Sequence, residues 1–417
     1  MGQVVVVGGG ASGMVAAGRA AECGAHVVLL ERNSILGKKL RITGKGRGNV
    51  TNIADLDQFV AAFGPNGKFL YGAFSRFSNN DLVDLLRRVG VGTKVERGGR
   101  VFTSSDRAAD VAEGFERWLC NLGVDIRLGV RCQSIVTENG EIASVKGVSV
   151  FSSVVPAEAV VLATGGITYP RTGSTGDGYR IAAELGHTIV TPRPSLGAFE
   201  VGETWVKQLQ GLSLRNVEAT LYVGKKKVRR EFGEMVFTHF GVSGPIVLTL
   251  SKAYAGLHNA SDVSVSVDLK PALSQETLDA RLTKQFKETT KQLKNYLPEL
   301  LPRSLVPVFL QLVGIESSVP VNRITREERM RIVNTLKDLR MRVVRARSAE
   351  EAIVTAGGIS LREIDPRTME SKLIRGLYFA GEVMDIDAVT GGFNLQAAFS
   401  TGWLAGESAA GRVSSVA

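Results

Sequence analysis

A run of four valines, Val4–Val7, breaks into Gly8-Gly9-Gly10-Ala11-Ser12-Gly13 and then into alanine-rich sequence. Unbroken β-branched residues suit a strand covered on both faces, the condition of a parallel sheet. The glycines fit G-x-G-x-x-G: Gly8 for a tight turn, Gly10 for close backbone approach to a pyrophosphate, Gly13 for helix–strand packing. A helix opening at Ala11 and Ser12 offers free N–H groups and partial positive charge to that phosphate. His26–Leu30 is a second apolar strand, and Glu31 ends it 18 residues beyond Gly13. A carboxylate there can accept hydrogen bonds from both ribose hydroxyls of an adenosine and disfavours a 2′-phosphate. The chain therefore opens as a β–α–β dinucleotide-binding unit.

Two further segments select FAD over NAD as the bound dinucleotide. Directly after Glu31 and Arg32 comes a basic glycine loop carrying Lys38, Lys39, Thr43, Gly46, Arg47, Gly48 and Asn49. Its cations and amides can follow a long diphosphate towards a flavin ring. At the far end, Leu377–Ala380 is an apolar strand closed by Gly381-Glu382, an acid suited to the ribityl chain. Thr390-Gly391-Gly392-Phe393-Asn394-Leu395-Gln396 then opens an alanine-rich helix. A helix N-terminus aimed at a flavin stabilises negative charge on the reduced ring. A buried strand, Ala159–Ala163, adds Ala163-Thr164-Gly165 to the cofactor set. No second G-x-G-x-x-G follows a strand, so a nicotinamide site is not legible.

Between these ends the character changes. Residues 191–270 alternate as strands do, 274–312 look helical and basic with breaks at Pro298, Pro302 and Pro307, and Thr325–Leu339 is a charged helix. The pattern reads as one α/β domain of Rossmann type interrupted by a long insertion. From Glu350 the chain returns to small, glycine-rich sequence. Asp81–Val89 and Ala108–Leu122 read as amphipathic helices, and strand patterns from Val124 to Val150 flank an Asn139-Gly140 turn.

The net charge is +10, and the window Lys270–Arg347 holds 16 Lys+Arg against 8 Asp+Glu. A further basic cluster is Lys225, Lys226, Lys227, Arg229 and Arg230. Such an excess is either a solvated face or an electrostatic footprint for nucleic acid. Phe286, Tyr296 and Phe309 are too sparse for an aromatic platform. Cys23, Cys120 and Cys132 have no metal-ligand spacing, so no metal site and reduced thiols are expected, as in a cytoplasmic protein. No segment has the apolar length of a membrane span.

The chain resembles the bacterial NAD(P)/FAD-dependent oxidoreductases of the BaiN/YhiN-like family, a two-dinucleotide-type flavoprotein group. The resemblance rests on Gly8–Gly13, Gly44–Asn52, Ala163–Gly166 with Tyr169-Pro170 and Thr172–Gly178, Phe237–Pro245, and Tyr378–Gln396. It implies FAD held by the first and last segments and NAD(P)H as a transient reductant, in an α/β fold: a Rossmann-type FAD-binding domain (1–190 and 349–417) interrupted by a β-barrel-like domain (191–272 and 318–348) and a small basic helical domain (273–317). It also implies reduction of carbon–carbon double bonds conjugated to a carbonyl, in bile-acid enones or in ribosomal RNA uridine, which gives dihydrouridine. Where the family loop reads Gly-x-Gly-Arg-Cys-Asn, this chain has Gly48, so a thiol-dependent step cannot carry over.

His239 and Tyr169 are the candidate proton donors. The loop Thr172–Gly178 could bind a substrate phosphate or cap a helix through Asp177. Three functions stay open: a reductase acting on ribosomal RNA, a reductase or oxidase of a small-molecule enone or amine, and a non-catalytic flavin-containing RNA-binding factor. The sequence is silent on oligomeric state.

Overall fold

A computed structural model of the chain describes residues 2–148, 153–257, 261–347 and 352–416. Val150 and Glu350, which marked pattern changes in the sequence, lie outside the described residues. Contacts divide the chain into two units, Met1–Ser195 with Ala349–Ala417, and Leu196–Ser348. Each has its own hydrophobic core.

The first unit is built on a five-stranded parallel sheet. Its order is Leu377–Phe379, Ala159–Leu162, Gln3–Val7, His26–Glu31, Asp125–Leu128. Val4, Val5 and Val6 are wholly buried at its centre, as an unbroken valine run requires. The helix Ala11–Glu22 connects the first two strands and packs against the C-terminal helix Phe393–Val416. Gly402 and Gly406 face it one turn apart. A Cβ at either would lie 2.3 Å from Ser12 O or 2.2 Å from Ala16 O, so the two helix backbones touch only because those side chains are missing.

The two amphipathic helices run Asn79–Arg88 and Ala109–Asn121. Arg131–Glu138 and Glu141–Val148 form a hairpin whose turn residues Asn139 and Gly140 have φ of 53° and 77°. Positive φ at both central positions gives the turn the twist that matches the strands. The chain leaves this unit along Ile189–Ser195 and returns along Val354–Ile359, and those strands pair antiparallel.

The second unit is a closed six-stranded barrel in the order Phe199–Val201, Gly241–Ser243, Lys226–Phe237, Ser213–Val223, Val263–Asp268, Leu339–Ala346. The helices Gln275–Lys287, Val306–Val313 and Arg326–Lys337 belong to the same unit and share its core. Phe286, Tyr296 and Phe309 are 4%, 3% and 0% exposed, so the aromatic residues of the basic stretch are core, not surface. Among the described residues no helix is long and apolar enough to cross a membrane.

Candidate functional site

The glycine turn between the first strand and its helix sets the geometry. Gly8 has φ +105°, and a Cβ there would lie 2.5 Å from Ala163 O. A Cβ on Gly13 would lie 1.8 Å from Gly8 O. Both glycines are therefore required by the fold itself. Gly10 differs: its φ is −82°, ordinary for any residue, and a Cβ would meet nothing within 4 Å. Its glycine is not needed by the protein around it. Gly10 is also the N-cap of Ala11–Glu22, and no side chain caps that helix. The first-turn N–H groups of Ala11, Ser12 and Gly13 thus lie beside an open face, the arrangement a pyrophosphate needs. Ser12 itself is buried, its hydroxyl 3.3 Å from Ala380 O.

Glu31 is 7% exposed and closes the second strand. Its Oε2 accepts from Gly9 N at 2.7 Å, and Oε1 accepts from Asn33 N at 2.7 Å and Asn33 Nδ2 at 2.6 Å. A carboxylate has about four acceptor sites. Glu31 therefore keeps room for about one more donor, fewer than two ribose hydroxyls would use. Arg32 turns away to Thr175 Oγ1 (2.6 Å) and Asp177 Oδ2 (3.1 Å). Asp177 also pairs with Arg131. The loop before the helix Asp177–Glu184 thus clamps two guanidinium groups through its acid, which holds the Asp177 carboxyl below the usual range.

The basic loop finds protein partners for most of its charge. Lys39 Nζ lies 2.9 Å from Glu382 Oε2 and 2.9 Å from Thr168 Oγ1. Glu382 Oε1 also accepts from Thr168 Oγ1 (3.0 Å) and Thr355 N (2.8 Å). Burial raises the Glu382 pKa, but Lys39 and Thr355 more than offset it, and the carboxyl sits below its ordinary value. Opposite charges from the loop and the strand end have found each other, so Glu382 is locked by a lysine rather than left open. Lys38 is exposed, 3.5 Å from Asn33 Oδ1. Arg47 pairs with Glu96 and Asp106 and lies over the Phe102 ring at 4.5 Å. Thr43 donates to Leu40 O (2.7 Å), and Gly46 O accepts from Ala108 N (2.7 Å). Gly48 has φ +75° and packs against Thr103 and Ala108, leaving no thiol at this bend.

The end of that loop meets the C-terminal glycine turn. A Cβ on Gly392 would lie 2.2 Å from Thr51 O. The Asn49 amide bridges Thr51 O (3.3 Å) and Gly392 N (3.2 Å). Gln396 is fully buried, accepting from Thr51 Oγ1 (2.7 Å) and donating to Ser400 Oγ (3.0 Å) and Phe77 O (3.3 Å). Its amide holds the junction together and has no surface left for a ligand. Asn394 straps its own turn through Ala388 N (2.8 Å) and Ala388 O (3.1 Å), and Leu395 is half-buried. Gly381 sits against Ser12. Gly165 follows Thr164, whose Oγ1 is buried without a hydrogen-bond partner among the described residues. The hydroxyl is enclosed by the protein: a Cβ on Gly178 would lie 2.0 Å from it, so Gly178 is kept bare by Thr164.

This arrangement matches a known family. The HI0933-like protein Rossmann domain model covers residues 2–408. The chain belongs to the HI0933-like family. It is 32% identical over 417 residues to a 3-dehydro-bile acid delta(4,6)-reductase of Clostridium scindens, covering 99% of this chain and 100% of that protein. It is 31% identical over 401 residues to a ribosomal RNA dihydrouridine synthase of Escherichia coli, covering 96% of each. A 3-ketosteroid-delta4-(5alpha)-dehydrogenase from Rhodococcus jostii shares the fold at 16% identity, with a TM-score of 0.54 over 98% of this chain and 97% of that one. The α/β class and Rossmann-type sheet of the HI0933-like family are thus those read from the sequence.

The two candidate proton donors lie in different units. Tyr169 is half-buried and adopts φ 53°, ψ 57°, a left-handed conformation that is strained for a bulky residue. It follows Thr168, the hydroxyl that bridges Lys39 and Glu382. His239 is exposed in the turn after Lys226–Phe237, edge-on to Phe240 at 4.9 Å. The sequence reading missed Thr51, Thr168 and Thr355. Thr355 opens a Thr-Ala-Gly-Gly run that could have signalled a backbone brought close to a ligand. Among the described residues no group of His, Cys, Asp and Glu is placed to hold a metal ion.

Proposed function

We propose that this chain is an FAD-dependent oxidoreductase that reduces a carbon–carbon double bond conjugated to a carbonyl, drawing electrons from NAD(P)H. The observation that carries the reading is Gly10: an unstrained glycine with open space where a side chain would be, at the uncapped start of the first helix. A pyrophosphate explains why a side chain is absent there. Glu31 marks the adenosine side, and the loop end Gly46–Asn52 with Gly391-Gly392 forms the opposite, ring-binding end.

FAD, when bound, supplies the hydride taken from the nicotinamide. The chain must orient the substrate, exclude water and deliver a proton to the α-carbon. Tyr169 is the favoured donor, because strained backbone is retained where surrounding structure and function demand it. His239 is the alternative. Gly48 removes a thiol from this role.

Among substrates, we favour a uracil in RNA. Its C5=C6 bond is conjugated to a carbonyl, as in a bile-acid enone, and the relatives named above carry both chemistries in their names. The basic second unit favours the RNA.

The test is direct. The purified protein should show a flavin spectrum, bleach anaerobically with NADH or NADPH, and be reoxidised by an RNA uracil. A colourless protein that cannot be reconstituted with FAD rules out the cofactor. Reoxidation by enones alone rules out the RNA substrate and leaves the flavin chemistry standing.

A further inference from the structure

The barrel carries an ordered outer face that no linear stretch of sequence reveals. Register places Lys227 opposite Tyr222, Tyr222 opposite Ser264, and Ser264 opposite Arg342. The next row is Arg230, Thr220, Ser266, Arg340. Cross-strand partners share a face. The opposite face of these strands is core: Ala219, Leu221, Val265, Val267 and Met341 are wholly buried. The two rows therefore look outward.

Their composition is specific. Lys227 and Arg230 line one side and Arg340 and Arg342 the other, and between them Ser266 Oγ donates to Asp338. Three strand spacings separate the two sides, about 14 Å. The hydroxyl residues of the rows, Thr220, Ser264 and Ser266, are buried at 6%, 7% and 7% exposure, and half-buried Tyr222 carries the Arg340 guanidinium over its ring at 4.6 Å. The third row adds Phe232, an aromatic side chain left 60% exposed, beside Glu218. Lys225 and Lys226 extend the basic side at the hairpin tip. Arg230 pairs with Glu218 at 3.4 Å and Arg340 with Asp338 at 3.1 Å, the two arginine side chains being 58% and 44% exposed. Such pairs are worth about 0–1 kcal/mol and exchange readily for phosphate.

We propose that this face binds single-stranded RNA, phosphates along the two cationic sides and bases against Tyr222 and Phe232. It rests on the reading of an RNA uracil as substrate and names the surface that holds the strand. Tyr222 lies between the two cationic sides and Phe232 on the Lys227–Arg230 strand itself, so base-stacking and phosphate-binding groups sit side by side. An acidic polypeptide would use the cations and leave the exposed Phe232 unexplained.

The experiment uses the full-length, flavin-loaded protein and a fluorescent oligouridine of about 12 nucleotides, read by anisotropy across a salt series. Lys227→Glu with Arg342→Glu should weaken binding at least about tenfold and lower the salt slope by about 1.4, for two phosphate contacts on a single strand. Phe232→Ala should weaken binding at least about fivefold with the slope unchanged. Lys284→Glu with Lys287→Glu, the same charge change on the helix Gln275–Lys287, should leave affinity within about threefold. Equal losses from both charge reversals, no effect of Phe232→Ala, or equal competition by polyglutamate would each overturn the inference. If the face variants keep wild-type RNA affinity, only the inference fails. If the wild-type protein has no RNA affinity, the RNA-substrate reading fails with it, and bleaching by NAD(P)H stays an independent readout.

Discussion

Thr51 donates a 2.7 Å hydrogen bond to Gln396 across 345 positions of sequence, in the interior of the first unit. It ties the end of the basic loop to the start of the C-terminal helix. Gln396→Leu would leave Thr51 Oγ1, Ser400 Oγ and Phe77 O competing for fewer partners. The expected cost is about 2–3 kcal/mol, from unmatched buried polar groups. Urea denaturation measures it. In the double variant with Thr51→Val the losses should be less than additive, and strict additivity would show that the two residues do not act together.

Lys39 and Glu382 form the ion pair between the same two segments, with side chains 24% and 21% exposed. Lys39→Met leaves the carboxylate with only neutral donors. A loss of about 2 kcal/mol is expected, between the values for exposed and fully buried pairs. Flavin content should fall as well, because Thr168 and Tyr169 lose their anchor. Unchanged stability and unchanged flavin content would count against a role for the pair.

His187 is a buried structural histidine, edge-on to Phe379 at 5.0 Å. Ser371 Oγ accepts from Leu373 N and Ile374 N, both at 3.0 Å, so its own proton points to His187 Nε2 at 2.7 Å. His187 is thereby fixed as the neutral Nδ1–H tautomer, donating to Ala182 O. Burial lowers its pKa. Its contribution is therefore present above the unfolded value of about 6.5 and is lost as pH falls from there through the lower folded value. Between about pH 7.5 and about pH 5.5 the wild type should lose stability faster than His187→Phe. Parallel pH dependences would contradict this assignment.

Glu407 acts at lower pH. Hydrogen bonding from Arg76 and Arg19 outweighs its burial and holds its carboxyl at about 2. The stability it gives the contact between the first and last helices is present above its unfolded pKa of about 4.3. It disappears as pH falls through about 2. Glu407→Gln should flatten the acid limb of the unfolding curve in that window.

The Rossmann opening was legible because its signals are contiguous: a valine run, three spaced glycines, and Glu31 at the end of the next strand. The strands and helices of the second unit were legible as alternation and helical pattern, whereas closure into a barrel came only from the family resemblance. Side-chain pairings across the chain were not. Lys39 meets Thr168 and Glu382 only after the sheet has brought 129 and 343 positions together. Cofactor roles for Arg47 and Gln396 were read from loop chemistry; Arg47 pairs with Glu96 and Asp106, and the Gln396 amide is enclosed by Thr51, Ser400 and Phe77. Tyr222 and Phe232 join a basic face through strand register, whereas Phe286, Tyr296 and Phe309 turn inward under helical periodicity.

Gly10→Asp tests most directly whether a dinucleotide lies against Gly10. Aspartate is a favourable N-cap and suits the helix dipole, and nothing within 4 Å of the new Cβ opposes it. The flavin-free protein should therefore melt at the wild-type temperature or above. A carboxylate beside the helix start would repel a pyrophosphate, so FAD bound per chain should fall at least about a hundredfold at limiting cofactor, a loss of about 2.7 kcal/mol. Wild-type FAD content in a stably folded Gly10→Asp protein would contradict the account.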